Sequence, residues 1–366
     1  MKLSAKRESL LKPLLQVGGV VERRQTLPIL SNLLFSVKND RLNITATDLE
    51  VELRSTAEVQ CDGEQDFTLP ARKLIDICKA LPEGANIEIS LEGERATLKS
   101  GKSRFTLSIL PAQDFPAIES TATWERLSLP EKVLKRLIEK TQFAMAQQDV
   151  RYYLNGMFLE VKEKQLRTVA TDGHRLAISE APFEMESGTE LEVILPRKAV
   201  LELSRLLSDS DDNVELEISS NHARVNLSGA SFTTKLIDGR YPDYRGVLPQ
   251  NSDKQVIADR EALRHALQRA SILSNEKYRG IRFKLHSGVL ELLAHNPEQE
   301  EAEEELEVNY DGADLVIGFN VGYLIDVLSV IQSDQVSIML SDPNSSCLIH
   351  AEDTDESRYV VMPMRL

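Results

Sequence analysis

The pattern of apolar and polar positions repeats three times along the 366-residue chain. Near the start of each third, at 8–15, 131–138 and 260–267, apolar residues recur at helical spacing. Two alternating apolar runs follow each stretch, and they end in Ala46-Thr47-Asp48, Ala170-Thr171-Asp172 and Ala294-His295-Asn296. This spacing indicates three copies of one domain rather than a short-period solenoid.

A second amphipathic stretch in each third begins after Leu69-Pro70, Leu195-Pro196 and Phe319-Asn320. In the second third the pattern predicts a helix over 197–207, and Pro196 suits its start because a missing N–H costs little there. Segments such as 104–110 alternate with period two, as half-buried antiparallel strands do. We therefore predict an α+β fold of three similar domains, each with two helices packed on antiparallel sheets.

Proline and polar residues gather at 115–124 and at 248–253, where we expect the copies to join. The expected domains are an N-terminal domain over 1–120, a central domain over 121–247 and a C-terminal domain over 248–366. Each is close to the usual size of a single domain, about 100–150 residues.

The charges change this picture. The net charge of −15 argues against a nucleic-acid partner unless the basic residues are segregated onto one surface. Lysine and arginine are concentrated in five of the six predicted helices, whereas acid is concentrated at 209–212, 298–307 and 352–356. A solvated face explains any one basic helix, but five such helices favour a basic surface. Cys61, Cys78 and Cys347 are far apart and odd in number, so we expect reduced, buried thiols in a cytoplasmic protein.

The sequence offers little catalytic chemistry. Residues 96–103 approach a phosphate-binding loop, but a strand-like run follows where that chemistry needs a helix, so we predict a hairpin turn. A nucleotide-using enzyme at the Lys102-Ser103 loop stays an alternative. Near 171–175 there is no nucleophile, so we interpret Asp172 as a turn former and His174 as structural. We expect no catalytic residue, no metal and no cofactor.

Two further features suggest binding. Basic residues in the first third and the acidic segment 298–305 lie far apart in the chain, and opposite charges so placed favour head-to-tail association, which closes a ring if the rotation permits. The chain ends on an apolar strand in which Met362 and Met364 flank Pro363. Such a segment suits an adaptable peptide-binding surface, or it simply completes a sheet.

Six motifs in order resemble the bacterial DNA polymerase III beta subunit family, the replicative sliding clamps. They are TLPIL at 26–30, QDVRYYLNG at 148–156, ATDGHRL at 170–176, DGRYPDY at 238–244, ILSNE at 272–276 and VMPMRL at 361–366. The resemblance implies a head-to-tail homodimer whose six domains close a ring around duplex DNA, with helices inside and sheets outside. Such a ring is a processivity factor that tethers replicative and repair polymerases and the clamp loader, without catalysis.

The resemblance also implies residue roles. The residues implied to face DNA are Arg24, Arg72, Gln148, Tyr152, Tyr153, Arg197, Lys198 and Arg205. Their contacts would be to phosphates and independent of base sequence. A basic-faced DNA-binding protein that does not encircle DNA stays an alternative.

The implied dimer interface places Ile272 and Leu273 of one copy against Phe105 and Leu107 of the other. The charged residues implied to pair there are Lys73, Arg95, Lys102, Arg104, Glu298, Glu300, Glu301, Glu303 and Glu304.

The implied pocket for short partner peptides lies between the central and C-terminal domains. Its residues are Leu154, Thr171, Gly173, His174, Arg175, Leu176, Pro242, Val247, Val360, Met362, Pro363, Met364, Arg365 and Leu366. Related clamps often carry a second basic residue after Arg245, where this chain has Gly246, so one polar contact at the pocket rim is in question.

Overall fold

The computed structural model describes residues 1–21, 27–116, 118, 124–183, 188, 190–250, 252–354 and 356–365. The chain forms two compact units. One consists of Met1–Lys132 with Leu201–Leu236, and the other of Val133–Val200 with Ile237–Leu366. Among the described residues, no helix has both the length and the apolar character needed to cross a membrane.

The α-helices coincide with the predicted amphipathic stretches. They are α1 (Arg7–Val17), α2 (Ala71–Ala80), α3 (Glu131–Thr141), α4 (Arg197–Leu206), α5 (Arg260–Ser271) and α6 (Val321–Val330). On α4, Val200 and Leu203 are buried while Leu201 is exposed, as the apolar spacing predicts. Short 3₁₀ turns lie at Pro28–Ser31, Ala112–Asp114, Gln142–Ala144, Tyr152–Leu154 and Arg245–Val247.

The strands between these helices pair antiparallel throughout. In the first third they are β1 (Lys2–Lys6), β2 (Asn32–Lys38), β3 (Arg41–Thr47), β4 (Val51–Glu58), β5 (Gln60–Cys61), β6 (Gln65–Pro70), β7 (Asn86–Glu92), β8 (Arg95–Ser100) and β9 (Ser103–Ser108). In the central third they are β10 (Glu125–Pro130), β11 (Gly156–Lys162), β12 (Gln165–Thr171), β13 (Arg175–Pro182), β14 (Leu191–Pro196), β15 (Asn213–Ile218), β16 (His222–Leu227) and β17 (Ala230–Lys235). In the last third they are β18 (Lys254–Asp259), β19 (Gly280–His286), β20 (Val289–His295), β21 (Glu301–Glu307), β22 (Leu315–Asn320), β23 (Gln335–Leu340), β24 (Cys347–Ala351) and β25 (Ser357–Val361).

Two of the sheets are shared between thirds of the chain. In the first unit, β10-β15-β16-β17 of the central third continue into β4-β3-β2-β6 to make eight strands. In the second unit, β14-β11-β12-β13 continue into β25-β24-β23-β18. The other sheets have the orders β5-β1-β7-β8-β9 and β21-β20-β19-β22. The central third therefore contributes strands to both units.

Each shared sheet has a seam where strands of different thirds pair. At the first seam β17 pairs with β4, with Phe232 opposite Leu53. At the second, β13 pairs with β25, with Leu176 opposite Val360. We call these the first and second seams.

The sequence repeat is visible in the structure as the same turn at two places, 47–51 and 171–175. At 47–51 the hydroxyl of Thr47 donates to the Val51 carbonyl (2.9 Å) and accepts from the Leu49 amide (3.1 Å). The carboxylate of Asp48 accepts from the amides of Glu50 (2.9 Å) and Val51 (2.7 Å). This turn leads into β4 at the first seam.

The copy of this turn 124 residues later leads into β13 at the second seam. The hydroxyl of Thr171 donates to the Arg175 carbonyl (2.5 Å), and the carboxylate of Asp172 accepts from the amides of His174 (2.9 Å) and Arg175 (3.1 Å). The interpretation of Asp172 as a turn former is confirmed. The third turn residue has a positive φ in both copies, 80° at Leu49 and 87° at Gly173.

The segment that resembles a phosphate-binding loop is a hairpin. Ser100 at the end of β8 pairs with Ser103 at the start of β9, and Gly101 between them has a φ of 56°. Strand β9 follows directly, which confirms the predicted turn and gives the nucleotide-enzyme alternative no support.

The three cysteines are free. Burial raises the pKa of the Cys78 thiol to about 11 and that of Cys347 to about 12. Cys61 is only partly buried, with its sulfur 3.4 Å from a carboxylate oxygen of Asp40, so the expectation of burial is wrong for this residue.

Thr47→Val should lower the stability of the first unit by about 1–2 kcal/mol, because it leaves the Leu49 amide without the oxygen that accepts its hydrogen bond and removes one of two donors to the Val51 carbonyl. Calorimetry should show a lower thermal midpoint. Thr47→Ser, which keeps the hydroxyl, should stay closer to wild type, and Thr56→Val at an exposed position of β4 serves as control. A Thr47→Val protein as stable as wild type would contradict this role for the hydroxyl.

Candidate functional site

A cavity of about 180 Å³ opens in the second unit beside the second seam. Apolar groups predominate in its lining, with a few charged residues among them. The lining residues are Arg151, Tyr153, Leu154, Thr171, Gly173, Arg175, Leu176, Pro242, Asp243, Tyr244, Val247, Val360 and Met362. A small, mostly apolar cavity with convergent polar groups is the usual form of a binding site.

The floor of this cavity is a buried cluster around the start of β11. Phe158 stacks on Tyr241 with ring centroids 4.9 Å apart, and Leu154, Leu176 and Val360 are almost fully buried beside them. Burial raises the pKa of the Tyr241 hydroxyl above its usual value. The floor is therefore neutral and rigidly packed.

One edge of the cavity is set by the pair Gly173 and Arg151. A Cβ atom on Gly173 would lie 2.8 Å from two guanidinium nitrogens of Arg151, so a side chain here would displace the guanidinium from its observed position. Arg151 is held by two hydrogen bonds to Asp149 (3.0 and 2.8 Å) and by one to the Asp172 carbonyl (3.2 Å). The hydrogen bonds from Arg151 hold the pKa of Asp149 at about 2, so this carboxylate stays charged.

Arg175 ties the turn at 171–175 to helix α6. Its guanidinium contacts the carboxylates of Asp172 (3.1 Å) and Asp326 (2.5 Å) and donates to the Phe143 carbonyl (2.8 Å). The same group lies 4.5 Å from the ring centroid of Tyr323. With its donors so occupied, Arg175 serves as a fixed wall of the cavity.

The chain end is fixed beside this turn. The amide of Met362 donates to the His174 carbonyl (2.9 Å), and that of Met364 donates to the Gly318 carbonyl (2.8 Å). The ring of His174 is exposed and stacks at 6.5 Å on Tyr323. Val361 belongs to β25, which pairs with β13 and β24 inside the sheet, and Met362 lines the cavity.

The structure brings nine of the residues assigned to the partner pocket around this cavity. They are Leu154, Thr171, Gly173, Arg175, Leu176, Pro242, Val247, Val360 and Met362. His174, Pro363, Met364 and Arg365 are not among the lining residues, and Leu366 lies outside the described residues.

Four lining residues were missed in the sequence: Arg151, Tyr153, Asp243 and Tyr244. All four lie inside two of the motifs that carry the family resemblance, at 148–156 and 238–244, so that signal was available. Tyr153 had instead been assigned to the DNA-facing surface. Its neighbour Tyr152 is 57% exposed, whereas Tyr153 is partly buried against the floor cluster.

The other residues that the resemblance places on the DNA-facing surface differ in how exposed they are. Arg72, Gln148 and Arg205 are exposed, whereas Arg197 and Lys198 are partly buried; Arg24 lies outside the described residues.

Several helix cations are already paired within the chain. Arg205 contacts Glu202 (2.9 Å) and donates to the Gln16 carbonyl (2.8 Å). Lys132 lies 2.5 Å from Asp211, and Arg197 donates to the Met145 carbonyl (3.1 Å).

The residues assigned to the dimer interface lie on or near two strands that end their sheets, β9 and β21. Phe105 is partly buried and Leu107 buried, while Ile272 is 76% exposed and Leu273 partly buried. The exposed charged residues are Lys73, Arg95, Lys102, Arg104, Glu298, Glu300, Glu301 and Glu303. Glu304 differs, because Arg269 of α5 binds it through two hydrogen bonds (2.7 and 2.6 Å).

Two larger clefts, of about 530 and 310 Å³, are lined mainly by polar and charged residues. Within the described part of the chain, no group of three or more His, Cys, Asp or Glu side chains could hold a metal ion.

The sequence matches the DNA polymerase III beta subunit over its whole length: the N-terminal domain over residues 1–119, the central domain over 128–243 and the C-terminal domain over 245–365. The chain belongs to this family. It is 54% identical to the beta sliding clamp of Pseudomonas aeruginosa and 51% identical to that of Escherichia coli, each with all of both chains covered. Family members are sliding clamps, and the function of the chain is that of a non-catalytic processivity subunit of a polymerase holoenzyme.

Solved structures agree with the sequence matches. The crystal structure of the DNA polymerase III subunit beta from Pseudomonas aeruginosa superposes with a TM-score of 0.97 at 53% identity, covering all of both chains. A clamp from the same organism bound to griselimycin gives 0.96 at 54% identity, again over all of both chains. The three-domain clamp fold is therefore established for this chain.

Proposed function

We propose that two copies of this chain close head to tail into a ring around duplex DNA and so tether polymerases to their template. The observation that carries the proposal is the full-length match to sliding clamps in sequence and in structure. The proposed domains are 1–120, 121–247 and 248–366, supported by the three family domains matched in succession. As a replication protein, the clamp is proposed to act in the cytoplasm.

The proposed interface joins strand β9 of one copy to strand β21 of the other. Each strand ends its sheet and can accept a further antiparallel partner. Arg104 on β9 and Glu301 and Glu303 on β21 are exposed and opposite in charge, which favours pairing of unlike ends over like ends. Ile272 supplies exposed apolar surface beside them, whereas Glu304 is occupied by Arg269 within its own chain.

DNA is proposed to be held by topology rather than by affinity. Several helix cations form ion pairs with carboxylates of the same chain, as Arg205 does with Glu202. Each paired cation therefore contributes only weak attraction to phosphates. Weak contacts to phosphates carry no sequence information and allow the ring to slide. Arg72, Gln148, Tyr152, Arg197, Lys198 and Arg205 are proposed to supply these contacts.

The cavity in the second unit is proposed to bind short apolar peptide segments of the clamp loader and the polymerases. Its neutral floor suits apolar side chains, and the adaptable Met362 stands at its mouth, 37% exposed. The griselimycin-bound relative supports ligand binding by clamps of this kind.

Loading on nicked circular DNA should test the topological claim. After loading by a clamp loader, the protein should stay with the circle through gel filtration at moderate salt, because the closed ring cannot leave it. A single restriction cut should release most of the protein within minutes. Continued retention on the linear product would show ordinary affinity and favour a DNA-binding protein that does not encircle DNA.

The double variant Ile272→Ala with Leu273→Ala should be monomeric at micromolar concentration, because it removes apolar contact area from the interface. Light scattering after size exclusion should give half the wild-type mass. Val150→Ala, which shortens a 95% exposed apolar residue elsewhere, should stay dimeric. A dimeric mass for the double variant would contradict the interface.

Gly173→Ala should weaken griselimycin binding about tenfold, because the new methyl group both displaces Arg151 and strains a left-handed residue. Gly288→Ala is a matched control, since this residue also has a positive φ (77°), its Cβ would meet nothing within 4 Å and it is not among the residues that line the cavity. Isothermal titration calorimetry measures both affinities. Equal affinities for the two variants would show that griselimycin does not bind beside Gly173.

A further inference from the structure

We propose that Glu160 is a positioning residue for the peptide-binding cavity, although it is not among the residues that line it. The inference rests on the proposed function of that cavity. Glu160 lies on β11 with only 2% of its surface exposed. A carboxylate so deeply buried is costly unless several donors satisfy it.

Three donors converge on the Glu160 carboxylate. The hydroxyl of Tyr244 donates to Oε2 (2.8 Å), and Arg245 contacts both oxygens through one nitrogen (3.2 and 3.1 Å). Arg167 on β12 donates from the other side (3.2 Å). Burial, followed by the hydrogen bond to Glu160, raises the pKa of Tyr244, so its hydroxyl keeps the proton that it donates.

Two of these donors belong to one wall of the cavity. Pro242, Asp243, Tyr244 and Val247 line it, and the chain between them makes a single 3₁₀ turn. The turn is closed by a bond from the Val247 amide to the Tyr244 carbonyl (3.1 Å). Glu160 therefore joins this wall to β11 through two side chains, Tyr244 and Arg245.

Glu160 also begins a row of charges that crosses the second seam. Arg167 contacts Glu180 on β13 (2.8 Å), and Glu180 contacts Arg358 on β25 (3.3 Å). Strand β25 carries Val360 and leads to Met362, which also line the cavity. The row thus links the 242–247 wall to the strand that supports the chain end.

The first seam shows that the sheet itself does not need this row. At the corresponding register, 124 residues earlier, the pairs are Ser36 with Asn43 and Asn43 with Thr56. In the second unit they are Glu160 with Arg167 and Arg167 with Glu180. Three uncharged residues occupy the same places in a sheet of the same topology, so strand pairing at this register does not require the charges.

The test compares Glu160→Gln with Glu163→Gln. Both changes remove one negative charge beside Arg167, but Glu163 is 64% exposed in its side chain and pairs with that arginine at the longer distance of 3.4 Å. Griselimycin affinity is measured by isothermal titration calorimetry well below the thermal midpoint. We expect about fivefold to tenfold weaker binding by Glu160→Gln and no change for Glu163→Gln.

A double-mutant cycle with Tyr244→Phe separates positioning from general stability. If Glu160 acts through the Tyr244 hydroxyl, its replacement should cost little further affinity once that hydroxyl is gone. Fully additive losses would overturn the inference, as would equal affinities for Glu160→Gln and Glu163→Gln.

A failure of the proposed cavity function can be distinguished from a failure of the inference about Glu160. Wild-type protein that does not bind griselimycin would overturn the cavity assignment itself, before any variant is compared. If Glu160→Gln does not fold, Tyr244→Phe alone probes the same contact by removing one oxygen atom. Its expected effect is about threefold weaker binding, and unchanged affinity would overturn the inference.

Discussion

Antiparallel pairing across the two seams is the constraint on which the rest of the structure depends. It joins strands far apart in sequence, and at the second seam it places the turn at 171–175 beside the end of β25. Register matters there because side chains alternate between faces. A slip of one residue would turn Val360 away from the cavity and move Met362 off its bond to His174. The buried cluster beneath the cavity, where Leu176 lies directly opposite Val360, favours the observed register.

The acidic net charge is compatible with a DNA partner because buried acids on the strands and exposed cations on the helices lie in different parts of the molecule. Buried acids on the strands are matched by arginines, as Glu217 is by Arg126 and Arg224, and these pairs add little to the outer field. Exposed cations such as Arg72 lie on the helices. Partial pairing of the helix cations keeps attraction to phosphates weak, which a protein retained by ring closure requires in order to slide.

Local features of this chain could be predicted from its sequence, and long-range partners could not. The six helices and the turn at Asp172 follow from patterns within a few residues of each other, and the recurrence of such local patterns gives the period of 124 residues. Periodicity reports which face of a strand is buried but not which strand lies beside it, so the division of the central third between two sheets was not predictable. The contact of Arg205 with the Gln16 carbonyl joins residues 189 positions apart and left no local signal. The role of Tyr153 in lining the cavity left no local signal for a related reason, since the adjacent tyrosines of this 3₁₀ turn differ in burial, with Tyr152 exposed and Tyr153 partly buried.

The two seams have the same backbone arrangement but different side chains, and the cavity lies beside the second seam. Both carry the same threonine–aspartate turn, and both close with a backbone hydrogen bond at the end of the paired strand, from Lys235 to the Glu50 carbonyl and from Met362 to the His174 carbonyl. They differ in side chains. At the left-handed position the first seam has Leu49, and the second has Gly173, which lets Arg151 approach closely enough to form an edge. The first seam has an uncharged row where the second has Glu160, Arg167 and Glu180. Because the backbone of the turn and of the paired strands is repeated, these differences in side chains distinguish the second seam, beside which the cavity lies, from the first.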